Sequence, residues 1–460
     1  MRGEPPRGWA EVTLGQVVDP PRPKAAPGDH SELPFVGMDS IAPGGMSLLS
    51  VGRFGDMKSA GGLFEPGDVL YGRMRPYLNK VHRARQRGAC SAEFIVMPPG
   101  ELLHGDFLAY LLHQRSFVNF ASNQSSGDRP RVDFGSLSFF AFGLPPKSEQ
   151  QRIVSRIEEL FSEIDEGERA LERVQKLVER YRQSVLKAAV TGELTREWRD
   201  TESSRPVDRD GDECSLPPGW SWRSLDELSW STSYGTSAKC SSTKGATPVL
   251  RIPNVREGRI ALRDLKWAPA DFAMTTDDAL APGDLLVVRT NGSESLIGVG
   301  AVVLSALPTP SYFASYLIRF RLHPEPLLAE WINLVWQSDV VRRFVHKHKA
   351  TSAGQYNVSQ SKLRSIRLPI PPESERAALL DAWRLAASRM ESTLKECGAG
   401  MAGSTALRQS ILKAAFSGQL VPQDPADEPA SALLARLAKQ AGEAQNATQR
   451  KGRRVRTAAP

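Results

Sequence analysis

The sequence predicts a mixed fold, α/β or α+β, in which two copies of one globular domain are separated by long helices that pair as an antiparallel coiled coil and relate the halves by a pseudo-twofold. Three features predict it. Four sequence blocks return in the same order along the 460 residues. Apolar residues recur at heptad spacing after each copy, and short apolar runs follow Pro-Gly turns inside the copies.

The repeat comes first, because a missed repeat misassigns an architecture. Pro6-Arg7-Gly8-Trp9 parallels Pro218-Gly219-Trp220, with Trp9 and Trp220 separated by 211 positions. Pro66-Gly67-Asp68-Val69-Leu70 returns as Pro282-Gly283-Asp284-Leu285-Leu286, at an offset of 216. Leu144-Pro145-Pro146 before Ser148-Glu149-Gln150 returns as Ile370-Pro371-Pro372 before Ser374-Glu375-Arg376. The run Ser184-Val185-Leu186-Lys187-Ala188-Ala189-Val190-Thr191-Gly192-Glu193-Leu194 returns as Ser410-Ile411-Leu412-Lys413-Ala414-Ala415-Phe416-Ser417-Gly418-Gln419-Leu420, offset by 226. Four ordered blocks whose offset drifts so little indicate duplication.

Within each copy, Asp68-Val69-Leu70-Tyr71 and Asp284-Leu285-Leu286-Val287-Val288 read as strands, and 104–120 and 326–347 each read as a closing helix before a polar loop. After the first copy the apolar positions run Ile153, Ile157, Leu160, Ile164, Gly167, Leu171, Val174, Val178, Tyr181, Val185 and Ala188, in steps of four and three. At about 1.5 Å per residue such a helix spans roughly 54 Å. Pro145-Pro146 precedes it, with Ser148 as the expected N-cap. The second run is Leu380, Trp383, Ala387, Met390, Leu394, Cys397 and Met401, after which the heptad register breaks around Gly398–Gly403 before Ile411. These boundaries give globular domains at 1–145 and 216–371, helical spacers at 146–195 and 372–422, a linker at 196–215, and a tail at 423–460 that is partly disordered and basic.

Composition narrows the function. The chain carries 59 Lys and Arg against 52 Asp and Glu. The excess is spread as +1 over 1–145, −1 over 146–200, +3 over 201–370 and +4 over 371–460. A polyanionic partner suits that balance, but its site must come from local clusters. No apolar run approaches the roughly 18–20 residues of a membrane span, and the N-terminus lacks the apolar core of a secretory signal. A cytoplasmic protein without membrane association is expected. Cys90, Cys214, Cys240 and Cys397 lie far apart and form no ligand pair, so they are read as reduced thiols. His346 and His348 lack a partner at ligand spacing. Neither metal nor cofactor is expected.

With the duplication established, the chain resembles the specificity subunit of type I restriction-modification systems over roughly residues 5–425. The resemblance rests on Gly219-Trp220, on Tyr234-Gly235-Thr236-Ser237-Ala238-Lys239-Cys240 followed by Pro248-Val249-Leu250-Arg251-Ile252-Pro253-Asn254, and on Gly283-Asp284-Leu285-Leu286-Val287-Val288-Arg289-Thr290-Asn291-Gly292. It rests also on Pro145-Pro146-Lys147-Ser148-Glu149-Gln150 and on the helix end through Gly192-Glu193-Leu194. It implies a non-catalytic subunit with two target-recognition domains, each reading one half of a bipartite site in double-stranded DNA. It also implies helices that set the spacing and dock methyltransferase subunits, two of them, alongside ATP-dependent restriction subunits. The copies differ where Tyr71-Gly72-Arg73-Met74-Arg75-Pro76-Tyr77-Leu78-Asn79-Lys80 stands in place of Arg289-Thr290-Asn291-Gly292, which implies unlike half-sites. Glu375-Arg376 also replaces Glu149-Gln150, leaving the second helix start less defined.

Bases are read by Arg, Lys, Asn and Gln, and phosphates are held by cations, hydroxyls and backbone N–H groups. In the first domain the candidates are Arg73, Arg75, Asn79 and Lys80, with Arg129 and Arg131 in the loop Ser125-Ser126-Gly127-Asp128-Arg129-Pro130-Arg131. In the second they are Lys239, Lys244, Arg251, Asn254, Arg289, Thr290 and Asn291, with Gln355, Tyr356 and Asn357 in the loop from Thr351. Lys347 leads a phosphate-gripping patch with Arg342, Arg343, His346, His348 and Lys349. The tail Arg450-Lys451-Gly452-Arg453-Arg454-Val455-Arg456 is a further basic segment.

Two rival readings fit the sequence less well. A stand-alone DNA methyltransferase or nuclease needs an Asn/Asp-Pro-Pro-aromatic loop or a phosphate loop. Asp19-Pro20-Pro21 is followed by Arg22 instead of a ring, so Asp19 reads as a surface turn. A coiled-coil protein scaffold explains the helices but not two globular halves with unlike loops on a repeated frame.

Overall fold

The fold is described from a computed structural model, which describes residues 5–20, 24–125, 127–202, 216–245, 247–256, 258–272, 276–352 and 354–440. The basic segment at 450–456, most of the linker, and Ser126 and Ala353 of the two loops lie outside the described residues. The chain divides into two compact units, residues 1–171 with 399–460, and residues 172–398.

Both units are built on the same frame. A short strand after the tryptophan turn pairs antiparallel with the strand that enters a long helix: Ala10–Thr13 with Ala141–Leu144, and Ser221–Ser224 with Arg367–Ile370. Gly8 and Gly219 take φ of 83° and 81° there, a region open to glycine without a Cβ clash. Each sits against a proline of the helix entry, Pro146 or Pro372. The indole of Trp9 donates to Glu149 at 3.0 Å, and that of Trp220 to Glu375 at 2.7 Å. The apolar runs after Pro-Gly are the strands Val69–Gly72 and Asp284–Val288, each central in an antiparallel sheet. They are wholly buried because sheet covers both edges and helices cover a face. Parallel pairing occurs between Phe35–Val36 and Ala89–Cys90, and between Val249–Leu250 and Tyr312–Phe313. Antiparallel pairing otherwise prevails among the described strands, so α+β is the better of the two classes.

The two long helices, Lys147–Val190 and Glu373–Phe416, have 44 residues each. In the first unit Arg408 of the second helix pairs with Asp165 at 2.6 Å and Glu168 at 3.1 Å of the first. In the second unit Val178 and Val185 meet Trp383, Ala386, Ala387 and Met390. The helices therefore run antiparallel, as the heptads predicted. The helix is unbroken through Gly398–Gly403, the stretch where the sequence breaks heptad register. Gly400 lies where a Cβ would come within 2.9 Å of the Leu171 side chain, so the glycine admits Leu171 and the helix continues. Tyr181 leaves the seam and is 54% exposed, while Leu186, Ala189 and Val190 are buried against the globular part of the second unit.

Other expectations need correction. Ser148 is inside the first helical turn, its hydroxyl donating to Asp427 at 2.5 Å, so it does not cap the helix. The second long helix begins cleanly at Glu373, where Arg376 donates to the carbonyls of Pro326 and Pro371 as Gln150 does to those of Leu102 and Pro145. Each closing helix is two: Gly105–His113 and Arg115–Asn123, Leu328–Val335 and Asp339–His348. Residues 423–440, expected to open the tail, are part of the first unit. Arg152 donates to Asp427 at 2.6 Å, the Ala430 N–H donates to the Gly8 carbonyl at 2.9 Å, and Ala430 is buried in the core. Among the described residues no helix is long and apolar enough to cross a membrane.

Replacing Trp220 by phenylalanine leaves the buried Glu375 without its indole donor and is expected to lower unfolding stability by roughly 1–3 kcal/mol. Trp230→Phe, at an indole that is 59% exposed, is expected to shift it by under about 0.5 kcal/mol. Chemical denaturation of the two variants provides the comparison.

Candidate nucleic-acid interface

In the second unit the candidate surface is organised by the buried strand Asp284–Val288. Asp284 is fully buried and accepts from Arg321 Nε at 2.7 Å and Nη2 at 2.9 Å. This pair fixes the start of the strand, and the residue at its far end is Arg289. The Arg289 N–H donates to the Tyr316 carbonyl at 3.0 Å and its carbonyl accepts from Val358 at 2.9 Å. Thr290–Asn291 then pairs with Gln355–Asn357, which pairs with Ala350–Ser352. The segment from Thr351, expected as a loop, is thus a hairpin, and it brings Arg289, Thr290, Asn291, Gln355, Tyr356 and Asn357 together. Thr290 Oγ1 lies 3.4 Å from Gln355 Oε1, and Asn291 Oδ1 accepts from the Ser293 N–H at 2.7 Å.

The cations divide by partner. Lys349 pairs with Glu294 and lies over the Tyr356 ring, 5.9 Å from its centroid. His346 pairs with the same Glu294 at 3.2 Å, Arg342 donates to the Ser295 carbonyl at 3.0 Å, and the Arg343 Nε donates to the Asp339 carbonyl at 3.3 Å. The hydrogen bond from Lys349 chiefly holds the Glu294 carboxyl below its usual range, with the Lys349 charge and the nearby His346 adding to it. His348 Nδ1 donates to the Phe344 carbonyl at 2.9 Å, and the imidazole stacks on that residue's ring. Lys347 is exposed and forms no ion pair among the described residues.

Four candidates are placed elsewhere. Asn254 is fully buried, accepting from the Arg251 N–H and donating to the carbonyls of Ala261 and Arg263, each at 2.8 Å. It closes a turn and presents nothing to a ligand. Arg251 is half-buried and donates to the Asp264 carbonyl at 2.8 Å. Lys239 and Lys244 are exposed on a neighbouring segment, tied to Trp267 through Ser241.

The first unit repeats the frame with different equipment. Arg73 takes the place of Arg289: its N–H donates to Glu93 at 2.8 Å and its carbonyl accepts from Val132 at 3.0 Å. Arg75 donates its N–H to Pro130 at 2.7 Å, so the two candidate loops are zipped together. Arg75 and Asn79 occupy the left-handed region, with φ of 52° and 42°. Arg75 and Arg129 are exposed, and Arg131 pairs with Glu93 at 2.7 Å. Two expectations fail here. Lys80 is spent on the Met38 carbonyl at 2.6 Å, and Asn79 is 7% exposed, its amide donating to His113 Nδ1 at 3.0 Å. Both side chains tie the loop to the rest of the unit. Sequence reasoning missed Tyr234 as part of the second surface, although Tyr234-Gly235 stood in the resemblance. Asp19 is exposed, and among the described residues no group of three or more His, Cys, Asp and Glu could hold a metal.

The chain is similar to the type I restriction enzyme EcoKI specificity subunit of Escherichia coli (strain K12), 27% identical over 335 residues, 73% of this chain and 69% of that protein. It is similar also to the StySPI specificity subunit of Salmonella potsdam, 23% identical over 332 residues, 72% and 69% of the two chains. Its fold matches a chain solved in work on complex assembly and conformational transition of the type I R-M system, with TM-score 0.68, 19% identity, and 91% and 100% coverage. It matches the HsdS subunit from Thermoanaerobacter tengcongensis with TM-score 0.53, 21% identity, and 91% and 98% coverage. No family model matches the chain.

Burial holds the His113 imidazole down at about 4, from an ordinary 6.5. A depressed histidine contributes stability that is complete above the unfolded value and is lost as pH falls from 6.5 through 4. The span is worth about 3 kcal/mol. Melting temperature is expected to fall more steeply between pH 6.5 and 5 in the natural chain than in His113→Gln. Asn254→Ala is expected to cost roughly 2–4 kcal/mol by stranding buried turn groups, with the selected DNA site unaltered. A variant that stays stable and changes site choice would return Asn254 to the reading surface.

Proposed function

We propose that this chain is the non-catalytic specificity subunit of a type I restriction-modification complex, acting in the cytoplasm. Each globular domain reads one half of a bipartite site in double-stranded DNA, and the long helices set the spacing and dock two methyltransferase subunits, with ATP-dependent restriction subunits completing the assembly. One observation carries the reading: Arg73 and Arg289 occupy the same hydrogen-bonded place on a duplicated frame, while the loops around them differ in sequence and geometry. A duplicated scaffold with divergent tips suits two readers of unlike half-sites. A protein scaffold has no use for that divergence.

The surface assigned to the first half-site is Arg73, Arg75, Arg129 and Arg131. The second is Arg289, Thr290, Asn291, Gln355, Tyr356 and Asn357, with phosphate contacts assigned to Lys347 and, on the neighbouring segment, to Lys239 and Lys244. The domain boundaries drawn from the sequence serve as the working division of the two readers and their spacers.

The chain mixed with its modification partner is expected to retard selected duplexes over random ones in a gel shift, and the pure chain alone to transfer no methyl group. Lys347→Ala is expected to weaken binding to all sequences alike and to reduce the dependence on salt by about one phosphate equivalent. A changed site preference in that variant would make Lys347 a base reader instead.

A further inference from the structure

The Arg289 guanidinium lies over the Tyr234 ring, 4.8 Å from its centroid. Its Nε is buried without a hydrogen-bond partner, and no carboxylate pairs with it among the described residues. The neighbouring Lys349 is neutralised by Glu294, whereas the charge of Arg289 is offset by no carboxylate among the described residues. Tyr234 ends the strand Ser229–Tyr234 and is 43% exposed. Gly235 holds it there, because any Cβ at that position collides with the Phe313 and Ala314 carbonyls.

We infer that Tyr234 is a positioning residue that fixes the plane of Arg289 for bidentate recognition of a guanine, making this pair a specificity determinant of the second half-site. The inference rests on the DNA-reading function proposed above and deepens it. With the backbone clamped between Tyr316 and Val358 and the side chain stacked on a ring, the planar fork loses little freedom on binding. Two terminal nitrogens in a fixed plane match the O6 and N7 acceptors on the major-groove edge of guanine. A phosphate would need only a point charge, which the exposed Lys347 supplies without a ring beneath it. The first unit keeps the arginine at Arg73, likewise with a buried, unpartnered Nε, but surrounds it with the Arg131–Glu93 pair.

The test selects duplexes from a randomised library with the chain in complex with its methyltransferase partner, comparing the natural chain with Tyr234→Leu, Tyr234→Phe, Arg289→Lys and Arg289→Ala. The half-site that Arg289→Ala alters identifies the one read by this unit. It is expected to contain a G·C pair whose preference falls about ten-fold in Tyr234→Leu and in Arg289→Lys, the rest of the site being unchanged. Tyr234→Phe retains the ring and is expected to keep the preference, a rescue that a general folding role of the hydroxyl would not give. Should Tyr234→Leu select the same guanine as strongly as the natural chain, the inference falls and the DNA-reading function stands. If the natural complex enriches no sequence, both fall. If Tyr234→Leu fails to fold, the Tyr234→Phe and Arg289→Lys results decide, and loss of the guanine in Tyr234→Phe would refute stacking as the cause.

Discussion

Each long helix begins beneath a tryptophan whose indole N–H donates to a glutamate of the first helical turn, Trp9 to Glu149 and Trp220 to Glu375. A buried carboxylate without donors costs several kcal/mol, so the helix start and the domain's first strand are bound to the same position. Burial pushes the Glu149 carboxyl above its ordinary range, and the indole and the Gln423 amide partly offset that. In the second copy Arg199 and Thr195 also donate to Glu375. Once this tie is made, the short strands Ala10–Thr13 and Ser221–Ser224 can pair only with the strands that enter the helices.

The opposite ends of the helices are fixed by glycine. Gly192 and Gly418 take φ of 71° and 72° just past the helices, the left-handed conformation that ends a helix without a Cβ clash. A Cβ on Gly192 would collide with Pro217, and one on Gly418 with Pro6. Each helix therefore starts on one tryptophan turn and its partner ends there. A unit consequently needs the beginning of one helix and the end of the other, which is why the first unit joins residues 1–171 to 399–460 while the second is the continuous stretch 172–398.

That construction explains what the sequence could disclose. Duplication, strand after Pro-Gly, and heptad spacing are local or periodic, so Trp9, Asp284 and the Ile153–Ala188 run were legible without a structure. Burial of a polar side chain is not a property of its type. Asn254 and Asn79 look like base readers in a sequence, yet one saturates a turn and the other holds His113. Gly400 looks like a helix breaker, and only the Leu171 side chain beside it shows why the helix needs it. Tyr234 stood 55 residues from Arg289, and nothing in its spacing announced that strand pairing through Leu317–Leu322 would bring the two together.

The same frame carries two different kinds of tip. In the second unit a three-stranded ribbon follows Arg289, and its cations lie over aromatic rings. In the first, the chain after Arg73 turns through two left-handed residues and is zipped to the segment at Pro130. Non-glycine residues in that region cost of order 1 kcal/mol or more each, and the buried Asn79–His113 bond and the Lys80–Met38 bond offset it. The strain is confined to the tip, leaving the arginine's backbone hydrogen bonds the same in both copies. The clamp on the arginine is common to both copies and the chain beyond it differs, so the tip can vary without disturbing the helices or their tryptophan ties.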